Sequence, residues 1–99
     1  MHRLPFDHDV LAKLCQRHRV RRLSLFGSVL KGTARPDSDI DLLVEFEPGA
    51  VPGFLGIAAI EAELSDLLGG KRVDLRTVSE LSRFFRDDVA REAEVQFAA

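Results

Sequence analysis

The chain has 99 residues, of which 45% are hydrophobic and 30% charged, a composition typical of a globular domain with one core. At pH 7 its net charge is −2, which disfavours a protein that binds nucleic acid mainly through phosphate contacts. A single cysteine excludes an internal disulfide. The first ten residues lack the charged-then-apolar layout of a signal peptide, and no apolar run approaches membrane-spanning length. We therefore expect one soluble, cytoplasmic domain over residues 1–99.

The first half of the chain predicts helix and strand in turn. Asp7 is placed to cap a helix whose apolar side carries Val10, Leu11, Leu14 and Cys15. The alternating stretch "RRLSLF" predicts a strand that ends at Phe26. Gly27 breaks this strand, and Ser28 is placed to cap a short helix. The stretch "IDLLVEF", residues 40–46, predicts a second and more buried strand.

The second half predicts a helix, a strand and a further helix. Apolar positions over residues 54–68, Leu55 among them, predict a long amphipathic helix closed by Gly69 and Gly70. "RVDLRT" predicts a third strand, and Ser79 is placed to cap a last helix. Strands alternating with helices predict an α/β (α+β) domain, a small mixed three-stranded sheet with about four helices packed on it.

Two aspartates lie one residue apart in the predicted second strand. Side chains at i and i+2 of a strand share a face, so Asp39 and Asp41 point the same way. Two ionised carboxylates about 6 Å apart repel by roughly 2–3 kcal/mol at an effective dielectric near 20. A cation between them would relieve this repulsion, and Mg²⁺ prefers carboxylate oxygens. If the third strand pairs beside the second, Asp74 joins the same face and completes a three-carboxylate site for phosphoryl transfer.

Each of these acids also has an ordinary structural explanation. An acid–apolar–acid triplet is most often a strand with one solvated face, and "VDL" around Asp74 is the alternation expected of an edge strand. The Gly27-Ser28 pair shifts the balance, because a strand that ends in Gly-Ser and enters a helix presents N–H groups and a hydroxyl to an anion. Phosphate donors and metal-binding acids on consecutive elements favour a nucleotide site.

The ordered set "GSVLKGTARPDSDID" followed by Asp74 resembles the nucleotidyltransferase signature of Gly-Ser, a spacer, Asp-x-Asp and a later acid. The short length, "SDIDLLVEF" and the "REAEVQF" ending are most similar to the minimal nucleotidyltransferase (MNT) family. The resemblance implies the polymerase β palm-like fold. It also implies that Asp39 and Asp41 hold two Mg²⁺ ions, that Asp74 binds metal or acts as a base, and that Gly27 and Ser28 hold the triphosphate of ATP.

The resemblance further implies a partner. Many MNT proteins are encoded beside a HEPN-domain ribonuclease toxin and neutralise it, in characterised cases by transferring AMP from ATP to a toxin tyrosine. This sequence contains no tyrosine, so such an acceptor lies outside it, and we expect nucleic acid contact only through the partner. Val29 and Lys31 stand where family members often carry arginine. Lysine keeps the charge without the forked geometry that binds phosphate in two places.

Other functions stay open at this level. A binding module that masks a partner toxin by contact, with a vestigial metal site, is one alternative. A free-standing enzyme acting on a small molecule is another. The basic run over residues 17–22 indicates an RNA-facing patch, a contact for an acidic partner or, in the interpretation that base rates favour, a solvated helix end. Cys15 falls on the apolar helix face and is expected to be a core residue.

Overall fold

A four-stranded sheet forms the centre of the protein. The structure is a computed structural model and describes residues 7–27, 39–77 and 91–99. Its strands are β1 (Val20–Phe26), β2 (Ile40–Phe46), β3 (Val73–Thr77) and β4 (Glu94–Ala98), in the order β3-β2-β1-β4. Strand β1 runs antiparallel to β2 and to β4, whereas β2 and β3 are parallel, which confirms the predicted mixed sheet.

The predicted count of three strands is wrong, because β4 adds a fourth at the edge beside β1. Strand β4 is short, and none of its five residues is fully buried. Its Phe97 pairs with Leu23 and packs against the core from the edge. An edge strand of this kind has little apolar alternation, so the sequence pattern does not separate it from a loop.

Two helices lie within the described residues. Helix α1 (His8–Arg17) begins where predicted, because the Asp7 carboxylate accepts hydrogen bonds from the backbone N–H groups of Asp9 and Val10 at 2.9 and 3.3 Å. Helix α2 (Phe54–Leu67) ends at Leu67 and is followed, after Leu68, by Gly69 and Gly70, both at positive φ. The helices predicted to begin at Ser28 and Ser79 lie outside the described residues. The architecture confirms the predicted α+β class.

Alternation along β2 separates the two faces of the sheet. Ile40, Leu42 and Val44 point toward the helices and are buried, whereas Asp41 and Glu45 lie on the opposite face. The core against the helices combines Leu11, Leu14, Cys15, Val20, Leu23, Leu25, Ile40, Leu42, Val44, Phe46, Ile60, Leu64, Leu68 and Leu75. This packing fixes the register of β2, since a slip of one residue would bury Asp41. No helix in the described part of the chain is long and apolar enough to cross a bilayer.

Candidate active site

The parallel pairing of β2 with β3 brings two of the predicted acids side by side. Asp41 is the register partner of Asp74, one position after the pair formed by Ile40 and Val73. In-register neighbours on adjacent strands lie roughly 4.8 Å apart, where two ionised carboxylates repel by about 3 kcal/mol at an effective dielectric near 20. Both side chains are half-buried on the face of the sheet opposite the helices. Such repulsion favours a positive group beside them.

Gly27 follows β1 and lies directly against Asp41. Its φ is +81°, and a Cβ at this position would lie 2.1 Å from Asp41 Oδ2. Both the backbone conformation and the lack of a side chain are therefore needed here. Glycine at position 27 therefore lets the bend after β1 approach the Asp41 carboxylate, and a residue with a side chain would prevent this approach. Ser28, the other predicted contact to the triphosphate, lies outside the described residues, as do Val29 and Lys31.

Asp39 is exposed and precedes the first residue of β2. Together with Asp74 it lines a surface depression of about 460 Å³ at the start of β2 and β3. Glu61 and Ser65 of α2 and Arg72 of the approach to β3 line the same depression. The structure thus places Asp39 near Asp74 at one edge of the sheet, and Asp41 beside Asp74 within the sheet.

An arginine already contacts the third acid. The Arg76 guanidinium donates through Nε to Asp74 Oδ1 and through a terminal nitrogen to Oδ2, both at 3.2 Å. The two residues are i and i+2 on β3 and share a face, so the pair forms without bending the strand. Both side chains remain partly exposed, at 47% for Arg76 and 34% for Asp74. The contact offsets repulsion between Asp74 and Asp41 and is weak enough to be exchanged for another cation.

The acids suit Mg²⁺ in their donor chemistry, because carboxylate oxygens are its preferred protein ligands. The register of Asp41 with Asp74 also places two such donors on neighbouring strands. As the side chains stand, however, residues 7–27, 39–77 and 91–99 contain no group of three His, Cys, Asp or Glu that could hold a metal ion. Binding a divalent ion through Asp74 therefore requires this carboxylate to exchange or share Arg76.

Glu61 is a residue that the sequence pattern did not single out. From the second half of α2 its Oε2 accepts a 2.8 Å hydrogen bond from the backbone N–H of Leu75. Because β3 is an edge strand, this bond occupies an amide that faces away from β2. In the sequence, Glu61 is marked only as an acid among the apolar residues of a helix, and this pattern does not specifically predict a bond to β3. Glu61 fixes α2 to the strand that carries Asp74.

The basic run is paired with acids of the same chain. Three of its arginines form ion pairs, namely Arg17 with Glu63, Arg19 with Glu47 and Arg22 with Glu45, and His18 Nε2 is hydrogen-bonded to Glu63 Oε2. Arg17 and His18 join the end of α1 to α2, and Arg19 joins the following turn to the residue after β2. This arrangement favours the predicted solvated helix end over an RNA-facing patch.

Cys15 is a core residue, as predicted. Its side chain is buried in the cluster beneath the sheet, and burial raises the pKa of its thiol from 9.0 to about 12. The thiol is therefore protonated at neutral pH and is a poor nucleophile. Cys15 belongs to the packing of α1 and not to the chemistry of the site.

Comparison with known proteins assigns this geometry to a family. Residues 8–96 match the nucleotidyltransferase domain family. The chain is 41% identical over 80 residues to the protein adenylyltransferase MntA of Thermococcus cleftensis, covering 81% of this chain and 78% of that protein.

Solved structures agree in fold. One, described as a minimal nucleotidyltransferase, is 43% identical with a TM-score of 0.70 and covers 87% of this chain and 85% of its own. A toxin–antitoxin structure with AMP-PNP superposes with a TM-score of 0.72 at 21% identity, covering 95% and 75%. A tri-AMPylated Shewanella oneidensis HEPN toxin in complex with MNT antitoxin gives a TM-score of 0.64 at 18% identity, covering 93% and 70%. The chain belongs to the nucleotidyltransferase family, in its minimal branch, and is a nucleotidyltransferase.

Proposed function

We propose that this protein transfers AMP from ATP to a hydroxyl of a partner protein, in a reaction that requires Mg²⁺, and that the partner is a HEPN-type ribonuclease toxin. The observation that carries the proposal is the in-register pair Asp41 and Asp74, with Gly27 closed against Asp41. The adenylyltransferase name of the Thermococcus relative and the AMPylated HEPN toxin of the Shewanella complex support the nucleotide and the partner.

The proposed roles assign the residues of the predicted signature one by one. Gly27 and Ser28 hold the triphosphate through backbone N–H groups and a hydroxyl. Asp39, Asp41 and Asp74 would hold Mg²⁺, two ions in this proposal, and the metal would supply charge neutralisation on the triphosphate and polarisation of the α-phosphoryl group. Asp74, on the edge strand and reachable from solvent, accepts the proton of the incoming hydroxyl or orients it.

The proposed reaction is a single displacement at the α-phosphorus of ATP. The acceptor oxygen bonds to the α-phosphorus, the bond from that phosphorus to the bridging oxygen breaks, and pyrophosphate leaves. The acceptor's proton passes to the Asp74 carboxylate. Because positioning and charge neutralisation supply most of the catalysis, a small domain suffices when the partner delivers the acceptor.

Transfer of label from α-³²P ATP to the purified HEPN partner tests the proposal. Wild-type protein with Mg²⁺ should label the partner, and Asp41→Asn should lose at least 10²-fold in rate, in line with removal of a residue that stabilises the transition state. Asp66→Asn, which alters an exposed acid of α2, is the matched control and should keep full activity. Absence of labelling by the wild type, or equal labelling by Asp41→Asn, would refute the proposal.

Masking of the toxin by contact is the second candidate, and the observation in its favour is that Arg76 already occupies the Asp74 carboxylate. A protein with both Asp39→Asn and Asp41→Asn distinguishes the two. If this protein still neutralises the toxin at equal stoichiometry, contact and not transfer is responsible.

A further inference from the structure

A groove runs between the start of α2 and the edge strand β3 and ends at Asp74. It encloses about 540 Å³. One wall is strand β3 from Asp74 to Thr77, and the other is formed by Pro52, Phe54, Ile57 and Glu61. Asp74 lines both this groove and the depression that holds Asp39, so the groove is continuous with the proposed catalytic site.

Three exposed apolar side chains lie at the start of α2 and in the loop before it, and we call them the apolar lip: Val51 and Phe54, which line the groove, and Leu55, which follows Phe54 in the chain. Their exposed fractions are 65%, 88% and 82%. Three large apolar side chains so exposed within five residues are unusual for a surface that contacts only water, and such patches mark interaction sites. Pro52 of the loop before α2 lies close against that helix, because a Cβ at Gly56 would lie 2.5 Å from Cβ of Pro52.

The edge of β3 that faces the groove is partly occupied. The outward N–H of Leu75 is already bonded to Glu61. A peptide bound here therefore cannot make a continuous main-chain ladder with β3. Affinity would therefore come mainly from contacts between the apolar lip and the side chains of the bound peptide.

We propose that the groove binds the segment of the partner protein that carries the acceptor hydroxyl, with an aromatic or branched aliphatic side chain on the apolar lip. This inference rests on the proposed function and adds to it the place where the acceptor docks. The chain contains no tyrosine, so a tyrosine acceptor has to arrive on another molecule and seat beside Asp74. The groove provides apolar contact that leads to that carboxylate.

Placing a charge on the lip tests the proposal without disturbing the core. Phe54→Glu and Leu55→Glu change two of the most exposed apolar side chains, at the first turn of a helix that has no acid there. An acid is favourable at that position, so the melting temperature should not fall. The matched control is Val10→Glu, the same type of change in the first turn of α1. Val10 lies beside Leu67, at the end of α2 opposite Phe54.

Binding and transfer to the purified HEPN toxin are measured separately. In an Asp41→Asn background, either lip variant should weaken toxin binding at least tenfold, and Val10→Glu should leave it unchanged. In the otherwise wild-type protein, the lip variants should raise KM for the toxin while KM for ATP and kcat at saturating toxin stay the same.

Each outcome bears on one of the two proposals. Unchanged toxin affinity in the lip variants, or equal loss in Val10→Glu, would overturn the docking site, as would failure of the wild type to bind the toxin. If the wild type binds the toxin through the lip but transfers no AMP, the docking site stands and the proposed function fails.

Discussion

The Asp41 carboxylate occupies the space where a side chain on Gly27 would begin, with Oδ2 2.1 Å from the position of that Cβ. The conformation of the bend at Gly27 and the position of the Asp41 carboxylate thus depend on each other, although 13 residues separate the two in the chain. Any residue other than glycine at this position must move the carboxylate or distort the bend.

Substitution of this glycine should therefore cost more than backbone strain alone. Gly49 provides the matched control, because its φ of +79° resembles the +81° of Gly27 while nothing lies within 4 Å of its added Cβ. Gly49→Ala should destabilise the fold by about 1–2 kcal/mol, the usual cost of a left-handed conformation. Gly27→Ala should cost more and should also reduce AMP transfer at least tenfold. Urea unfolding and the transfer assay measure both, and equal effects on stability and rate at the two glycines would contradict the close approach to Asp41.

Glu61 should contribute more to stability than the ion pairs of the surface. Glu61→Ala leaves the Leu75 amide without its partner, which should cost about 1–3 kcal/mol. Glu45→Ala, which removes a 3.5 Å surface pair with Arg22, should cost less than about 1 kcal/mol. Chemical denaturation of both variants gives the comparison. Similar losses would mean that the Glu61 bond does not hold α2 to β3.

Arg76 should compete with a divalent cation for Asp74. Arg76→Ala removes the pair and should tighten Mn²⁺ binding about fivefold, corresponding to roughly 1 kcal/mol for an exposed ion pair. Arg72→Ala removes the same charge from a residue lining the depression near Asp74, and it should have a smaller effect. Paramagnetic resonance of free Mn²⁺ provides the affinities. Weaker binding in Arg76→Ala, or the same gain in Arg72→Ala, would argue against exchange at Asp74.

The buried thiol should make stability depend on pH in alkaline solution. The pKa of Cys15 is about 12 in the folded protein against 9.0 for an ordinary thiol, so the unfolded chain releases this proton first. Stability should therefore be complete below about pH 9 and fall by up to about 1.4 kcal/mol per pH unit as the pH rises toward 12. Cys15→Ala should show a shallower decline in urea unfolding between pH 8 and pH 11. Parallel declines would contradict the assignment to Cys15.

Strand and helix patterns with long, regular apolar spacing were predictable from the sequence. Strand β2, the cap at Asp7 and the glycine stop after α2 each follow from local chemistry that tertiary contacts then reinforce. The pairing of Asp41 with Asp74 followed from the period of a strand, once β3 was placed beside β2.

Other features depend on contacts that local patterns do not encode. Leu55 was counted in the buried stripe of α2, but it lies about 140° around the helix from Ile60, given 3.6 residues per turn. The Glu61 bond joins residues 14 positions apart. The ion pair of Arg76 with Asp74 had a weak signal in the i, i+2 spacing, which also fits ordinary surface charges.

A double-mutant cycle tests the central claim most directly. Mn²⁺ affinity is measured for the wild type, Asp41→Asn, Asp74→Asn and the double variant, each with a non-hydrolysable ATP analogue present. If the two carboxylates hold one ion, each single variant should lose at least tenfold in affinity, and the double variant should lose little more than either one. Asp66→Asn should bind Mn²⁺ as the wild type does. Independent and additive losses, or unchanged affinity in Asp74→Asn, would show that the paired strands do not form a shared metal site.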